Sequence, residues 1–540
     1  MKERVPYMRW SGWGAAGEER SLSEAQLALV TEALGVRAAG APLVSLGDVQ
    51  LGAPRLAGPA REALELIVGA EHVLDDHEAR VIHACGKSTP DLLRLRAGEA
   101  LEAPDAIVLP GSHKEVVEVL RTCAHHEVAV VPFGGGTSVV GGLEPLRGGF
   151  AALISLDVRR LDRLVAVDTV SLTATLEAGL RGPEAEALLG EHGVMLGHYP
   201  QSFPYATIGG FAATRSSGQA SGGYGRFDAM VVAMKVATPE GTLELGRSPA
   251  NAAGPDLRQL FLGSEGLLGV ITEVTLRVPR IPEERHYEAW SLPDFLSGQA
   301  ALRRLVQDGA APTVLRLSDE FETVVSGGQS QDAGTGLDGV PAVAGCLLLT
   351  GYEGTAAAVQ SRWALASAIL GEEGATALGA EIGEGWLEHR FDAPYTRDPL
   401  LDAGVLTETL ETATTWSNIP ALYEAVKTAV VDALAGEGNP LVWCHISHVY
   451  PSGASLYFTV AAPQGENPLE RWRTAKRAAC DAIVGCGASI THHHAVGRDH
   501  RDWMTAEIGE LGIGVLRAVK ARVDRKGILN PGKLIPKGPA

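Results

Sequence analysis

Three consecutive histidines, His492, His493 and His494, stand in the segment ASITHHHAVG near the end of the chain. Imidazoles change charge near neutral pH, which suits the removal of a proton beside a carbonyl. The segment has the pattern of a strand ending in a glycine turn. On a strand, His492 and His494 face one way and His493 the other. A His-x-His metal pair and a solvated surface run are the competing readings. No third ligand stands at a suitable spacing, so no metal is expected. Arg316, in VLRLSD, lies between apolar residues on a predicted strand. If buried, its guanidinium needs an anion, either a substrate or a carboxylate of this chain.

Glycine supplies a second kind of chemistry. In PFGGGTSVVGG, three successive glycines let backbone N–H groups turn into a concave nest for an anion, and the hydroxyls of Thr137 and Ser138 add donors. No Lys-Ser/Thr follows, as a Walker loop requires, and there is no helix-opening GxGxxG with a ribose-binding acid. Alone, the segment reads equally well as a tight turn. TIGGFAATRSSG and GSEGLLGVITEV repeat its character further along. Three such loops in order imply a large ligand with a pyrophosphate, and FAD in an extended pose fits.

Around these loops the elements are legible. Residues 106–110 read as a strand ended by Pro-Gly. Ser112 and Glu115 have the spacing of a capping box, and Val116, Val119, Leu120 and Cys123 fall on one face of the helix behind them. Residues 128–132 form the next strand. Short strands follow in ALISLD, RLVAVD and SLTATLEAG, then a hairpin over 231–245 and a strand after Gly269. Residues 34–62 read as a loosely structured connection, VVSGGQSQDAGTG as a surface loop, and 503–523 as a helix. Prolines 279 and 282 mark a boundary. The expected class is α+β, divided into an N-terminal segment (1–99), a cofactor domain (100–280), a cap (281–490) and a C-terminal active-site and helical segment that returns to the cofactor domain (491–540).

The 540 residues carry a net charge of -19, which disfavours nucleic acid and anionic lipid as general partners. No apolar stretch is long enough to span a bilayer, and MKERVPYMRW lacks the apolar core of a signal peptide. Six scattered cysteines fit reduced, mostly buried thiols in a cytoplasmic protein.

The three loops, with KGILNPGKL near the end, resemble the FAD domain of the vanillyl-alcohol oxidase/p-cresol methylhydroxylase flavoproteins. That resemblance implies a two-subdomain FAD-binding domain with an α/β cap. In the first loop it implicates Pro132, Phe133, Gly134, Gly135, Gly136, Thr137 and Ser138. In the second it implicates Gln201, Ser202, Phe203, Pro204, Tyr205, Ala206, Thr207, Gly210, Thr214, Arg215, Ser216 and Ser217. In the third it implicates Glu265, Gly266, Leu267, Leu268, Gly269, Val270 and Ile271. Some relatives bind flavin covalently through a histidine in the glycine loop, where this chain reads GGGTS, so non-covalent FAD is expected.

RWSGWG, PTVLRLSD, APYTRD, SHVYPSGASLYF and THHHAVGRDH extend the likeness over nearly the whole chain. Together they resemble the alkyldihydroxyacetonephosphate (alkylglycerone-phosphate) synthase family. Such enzymes exchange the acyl group of an acyl-dihydroxyacetone phosphate for a fatty alcohol, without net redox and with the flavin holding the substrate carbon. The resemblance implies that Tyr457 moves a proton with the three histidines, that Arg397 binds phosphate and that Arg316 is a candidate substrate contact. It further implies a homodimer with peripheral membrane contact. The chain ends KGPA, without a peroxisomal tripeptide, and its Ala/Gly/Arg-rich composition points to a bacterial source. Two alternatives remain open at this stage: a FAD-dependent 2-hydroxy-acid dehydrogenase or oxidase, and a flavoprotein kept as a scaffold.

Overall fold

The computed structural model describes residues 4–329 and 343–537, and three main sheets carry the chain. The first is parallel at its centre. Val128–Phe133 and Ala106–Val108 flank Ala152–Asp157, and Val73–Leu74 adds an antiparallel edge. The crossover helix is His113–His125. Ser112 caps it by accepting the Glu115 N–H, while the Glu115 carboxylate accepts the Gly111 N–H. Val116, Val119 and Leu120 are fully buried, and each such aliphatic contributes about 1.5–3 kcal/mol. Ile528 and Leu529 join this core from the far end of the chain, where the Val130 N–H donates to the Ile528 carbonyl.

The second sheet is antiparallel, in the order Gly241–Leu245, Val231–Thr238, Val270–Arg277, Thr173–Glu177 and Leu164–Asp168. Its first two strands are the expected hairpin, with Gly241 paired to Thr238. The third sheet has eight antiparallel strands, running from Thr376–Gly379 through Glu284–Leu292, Cys346–Gly354, Val314–Ser318, Leu441–Ile446 and Gly453–Pro463 to Val405–Thr415, with Val449–Tyr450 paired beside Gly453–Pro463. Helices Phe295–Gln307, Ala356–Glu372, Ile419–Leu434 and Pro468–Gly485 pack on one face of it. Because strand side chains alternate, the opposite face is free to line a site.

Some expectations are corrected. Residues 34–62 contain a 3-10 turn at Leu46–Asp48, a short strand at Gln50–Leu51 and the start of the helix Gly58–Val68, whose first turn tolerates Pro59 because no helical N–H is needed there. VVSGGQSQDAGTG does not begin as a loop, since the helix Glu320–Gln329 includes its first residues. The remainder of that segment lies outside the described residues. The last long helix is Met504–Val523, with Gly509 at φ 73° breaking its regularity.

ASITHHHAVG is not a strand. Apart from one bridge between Ser489 and Ala413, it is a run of bends. The cause is Glu411, whose buried carboxylate accepts the backbone N–H groups of His492, His493 and His494. An extended chain sends successive N–H groups to opposite sides, whereas a shared acceptor draws three to one point.

Candidate active site

The eight-stranded sheet sorts its side chains by period two. Val442, Cys444, Ile446, Leu456, Phe458 and Val460 meet the helices. Trp443, His445, Ser455, Tyr457 and Thr459 line a cavity of about 850 Å³ on the other side. Strand register places His445 and Glu411 on either side of Tyr457, in one row across three strands. Tyr457 stacks on His445 with ring centroids 4.7 Å apart and lies 6.0 Å from His493 and 5.4 Å from His494.

The bend over Glu411 redistributes the histidines. His493 and His494 line the main cavity, whereas His492 lines a second cavity of about 460 Å³. His492 and His493 nevertheless touch, Nδ1 to Nδ1 at 2.9 Å, and the Tyr450 hydroxyl lies 2.7 Å from His492 Nε2. Burial favours the neutral ring: it pushes His494 down to about 3, His492 well below the usual imidazole range, and His493 down as well. At His493 the Glu411 carboxylate, 3.6 Å from Nδ1, opposes that push. Burial acts against the charge on Glu411 too, yet the surrounding imidazoles and the Thr491 hydroxyl hold its carboxyl well below the ordinary range. Burial pushes the Tyr457 hydroxyl up to about 12, so it keeps its proton at neutral pH.

His448 completes a group that sequence spacing concealed. Ligand atoms of His448, His492 and His493 lie within 4.8 Å of one another. Three neutral imidazoles are a set that zinc or a similar cation accepts, so the lack of a nearby third ligand in sequence was no argument against a metal.

Both expected arginines reach the main cavity. Arg316 Nη2 donates to Glu322 at 2.7 Å, and Nη1 lies 3.2 Å from His445 Nε2. With Nδ1 of His445 also 3.0 Å from Glu322, the three side chains form a closed network behind Tyr457. Arg397 is different. Its Nη1 donates to the Lys87 carbonyl, while Nε and Nη2 are buried without a hydrogen-bond partner among the described residues.

The remaining wall comes from the glycine-rich loops. Pro132, Phe133, Gly134, Gly135, Gly136, Thr137, Ser138, Gln201, Ser202, Ala206, Thr207, Gly210, Thr214, Ser216, Ser217, Glu265, Gly266, Gly269, Val270 and Ile271 all line the cavity. Phe203, Pro204, Tyr205, Arg215, Leu267 and Leu268 do not. Phe203 stacks on Phe391, and Tyr205 bonds to Ala15 N–H. Arg215 donates to Leu262 and Asp228, and Leu267 packs with Val496 and Met504.

The first two loops clasp each other closely, and the residues fit an extended flavin dinucleotide. A Cβ on Gly135 would lie 2.1 Å from the Tyr205 carbonyl oxygen, and Gly136 takes φ 74°. Bare backbone therefore forms the cavity wall there. Gln219 Oε1, buried and unpartnered among the described residues, is a further acceptor in the same wall. Sequence reading missed Gln219, Glu411, His445 and Glu322. The two carboxylates Glu408 and Glu411 in the threonine-rich strand Val405–Thr415 were the available signal.

The descriptions "FAD binding domain" and "FAD linked oxidases, C-terminal domain" match residues 104–246 and 281–534. An alkyldihydroxyacetonephosphate synthase of Dictyostelium discoideum is 35% identical over 92% of this chain and 84% of its own length. A solved alkyldihydroxyacetonephosphate synthase structure superposes with a TM-score of 0.83 at 31% identity, covering 97% of this chain and 98% of that one. A p-cresol methylhydroxylase structure with substrate bound, 15% identical, covers 91% of this chain and 97% of its own with a TM-score of 0.68, and shares the fold alone. The architecture is the expected α+β flavin domain with its α/β cap, and FAD is the cofactor.

Proposed function

This chain belongs to the alkyldihydroxyacetonephosphate synthase family, and from that membership we propose that it exchanges the acyl group of an acyl-dihydroxyacetone phosphate for a long-chain alcohol, giving an ether without net redox. The observation that carries this reading is the convergence, on one cavity, of an unsatisfied guanidinium, a neutral imidazole beside a carboxylate, and an apolar limb.

Arg397 binds the phosphate, which fills the bonds its Nε and Nη2 lack. His493 takes the proton from the carbon bearing the acyl group, and Glu411 stabilises the charge that the ring acquires. Tyr457, which holds its proton, donates to the departing carboxylate. Arg316 acts through Glu322 and His445 to fix the plane of Tyr457. His494, on the other edge of Tyr457, shields this step from water. FAD, when bound, would supply a nucleophilic ring nitrogen for the exchange.

The alcohol chain lies along Val30, Ala33, Leu400, Trp443 and Ala461, which line the same cavity. Leu29, 68% exposed, and Val324, 67% exposed, are also lining residues and support contact with a membrane surface from which the alcohol enters. No helix among the described residues is long and apolar enough to cross a membrane. The same proposal takes residues 281–490 as the cap, a homodimer as the assembly and the cytoplasm of a bacterium as the setting. Its six free cysteines support the last point.

Purified protein given acyl-dihydroxyacetone phosphate and labelled hexadecanol should release fatty acid and form a labelled ether lipid. No ether product, with anaerobic bleaching of the flavin by D-lactate or glycolate, would overturn the reading in favour of hydroxy-acid oxidation.

A further inference from the structure

The RWSGWG segment contributes to the main cavity, yet the exchange described above gives it no role. It stands outside both matched flavoenzyme regions, residues 104–246 and 281–534. Trp13, its second tryptophan, lines the cavity together with Pro394, Thr396 and Arg397. Trp13 is 4% exposed, and its indole Nε1–H is buried without a hydrogen-bond partner among the described residues. An indole N–H can only donate, and a buried donor left unpaired is costly.

The segment is held with little freedom. The Arg9 N–H donates to the Gly14 carbonyl at 2.9 Å, closing a turn in which Gly14 takes φ 83°. The Trp13 N–H donates to Asp398 Oδ2 at 2.8 Å, and the Trp13 carbonyl accepts from Arg9 Nε at 3.1 Å. Arg9 also pairs with Asp398, so the charge of that carboxylate is met within the segment. A Cβ on Gly12 would collide with the Asp398 carboxylate, so this close approach requires glycine. Lys87 Nζ donates to the Arg9 carbonyl at 2.6 Å, and the Lys87 carbonyl accepts from Arg397 Nη1 at 2.5 Å. The indole also packs edge-on against Tyr205 with ring centroids 6.1 Å apart, while the Ala15 N–H donates to the Tyr205 hydroxyl. Trp13 is thus tied both to the neighbour of Arg397 and to the second glycine-rich loop.

We propose that Trp13 is a second phosphate-binding residue, its indole N–H donating to the same phosphate that Arg397 holds. This rests on the functional reading above and deepens it. A phosphate monoester presents three terminal oxygens. The Nε and Nη2 donors of Arg397, unpartnered among the described residues, take two of them side by side. The third oxygen remains for a donor-only group, and the indole supplies one without adding charge. A phosphodiester has one of these oxygens alkylated, leaves the indole N–H unpaired and is rejected for that reason. Trp13 therefore makes the pocket selective for a terminal phosphate.

The test reads binding and turnover separately. The holoenzyme is labelled with 5-fluorotryptophan, and the Trp13 resonance is the ¹⁹F signal missing from Trp13→Phe. Dihydroxyacetone phosphate should shift that signal, whereas dihydroxyacetone at the same concentration should leave it in place. Trp13→Phe keeps an aromatic ring against Tyr205 and lacks the N–H. It should raise KM for acyl-dihydroxyacetone phosphate about tenfold with little change in kcat. Its FAD affinity should match wild type, which a merely structural role for the indole would not preserve. If Trp13→Phe does not fold, Trp13→Tyr assigns the signal in its place and the titration decides.

A Trp13 signal that stays in place at saturating dihydroxyacetone phosphate overturns the assignment while leaving the exchange reaction standing. So does an unchanged KM in a variant that holds its full complement of FAD. If wild type forms no ether and the signal still follows the phosphate, the exchange reading falls and the phosphate contact stands.

Discussion

Glu411 lies directly opposite Tyr457 in the antiparallel ladder, and from that position its carboxylate gathers the backbone N–H groups of His492, His493 and His494. One strand residue thus fixes both the histidine bend and its distance from the phenol. Glu411→Gln keeps the size but turns an amide toward donors. Loss of a buried charged acceptor costs about 1.5–3 kcal/mol per charge-assisted bond. The variant should melt lower, keep its flavin and lose about 100-fold or more in exchange rate. Thermal melts beside a turnover assay check this; full activity at a lowered melting temperature would remove Glu411 from the mechanism.

Arg397 offers a planar fork with two unfilled donors, which an ammonium cannot reproduce. Arg397→Lys should raise KM for the phosphate-bearing substrate by about 10–100-fold, as expected for one lost charge-assisted contact. Activity with a substrate lacking the phosphate should be equally low in both proteins. A KM that stays at the wild-type value would assign the phosphate to other groups.

The apolar limb predicts a length preference. Ala461 is buried on the strand that carries Tyr457 and lines the limb. Ala461→Phe should block the path, so that hexadecanol activity falls several-fold more than octanol activity. Parallel loss with both alcohols would place the alkyl chain elsewhere.

Glu265 supplies a pH signature. It is buried and accepts the Val496 and Gly497 N–H groups, tying the third flavin loop to the histidine bend. Burial pushes its carboxyl up to about 7, above the 4.5 expected of the unfolded chain. Between those values the folded protein binds more protons than the unfolded one. Its contribution, on the order of 3 kcal/mol, is therefore fully present below about 4.5 and lost as pH rises through about 7. Glu265→Gln should flatten that decline. Denaturant melts of the flavoprotein from pH 5 to 8 check it, and an equal slope in the variant would assign the titration to another group.

Local patterns announced much of the fold. The capping box at Ser112, the apolar face over Val116 to Cys123 and the alternating strands before Arg277 are short-range signals, and each element stands where they put it. The glycine loops were legible because bare backbone at a cavity wall needs residues without Cβ. What escaped was set by partners far away in sequence. The histidine bend looks extended until Glu411 is known to lie beneath it, and His448 joins His492 only through a turn between other strands. Phe203, Tyr205 and Leu267 sit in the same loops by sequence, yet they turn away from the cavity and are buried against Phe391, Ala15 and Val496, partners that no local pattern reveals.

The central claim is substitution at the carbon that His493 and Tyr457 face, and ¹⁸O-labelled hexadecanol tests it most directly. The ether should retain the label in its oxygen, with the released fatty acid carrying none. An unlabelled ether, or label appearing in the fatty acid, would place bond cleavage at the acyl carbon and contradict the account.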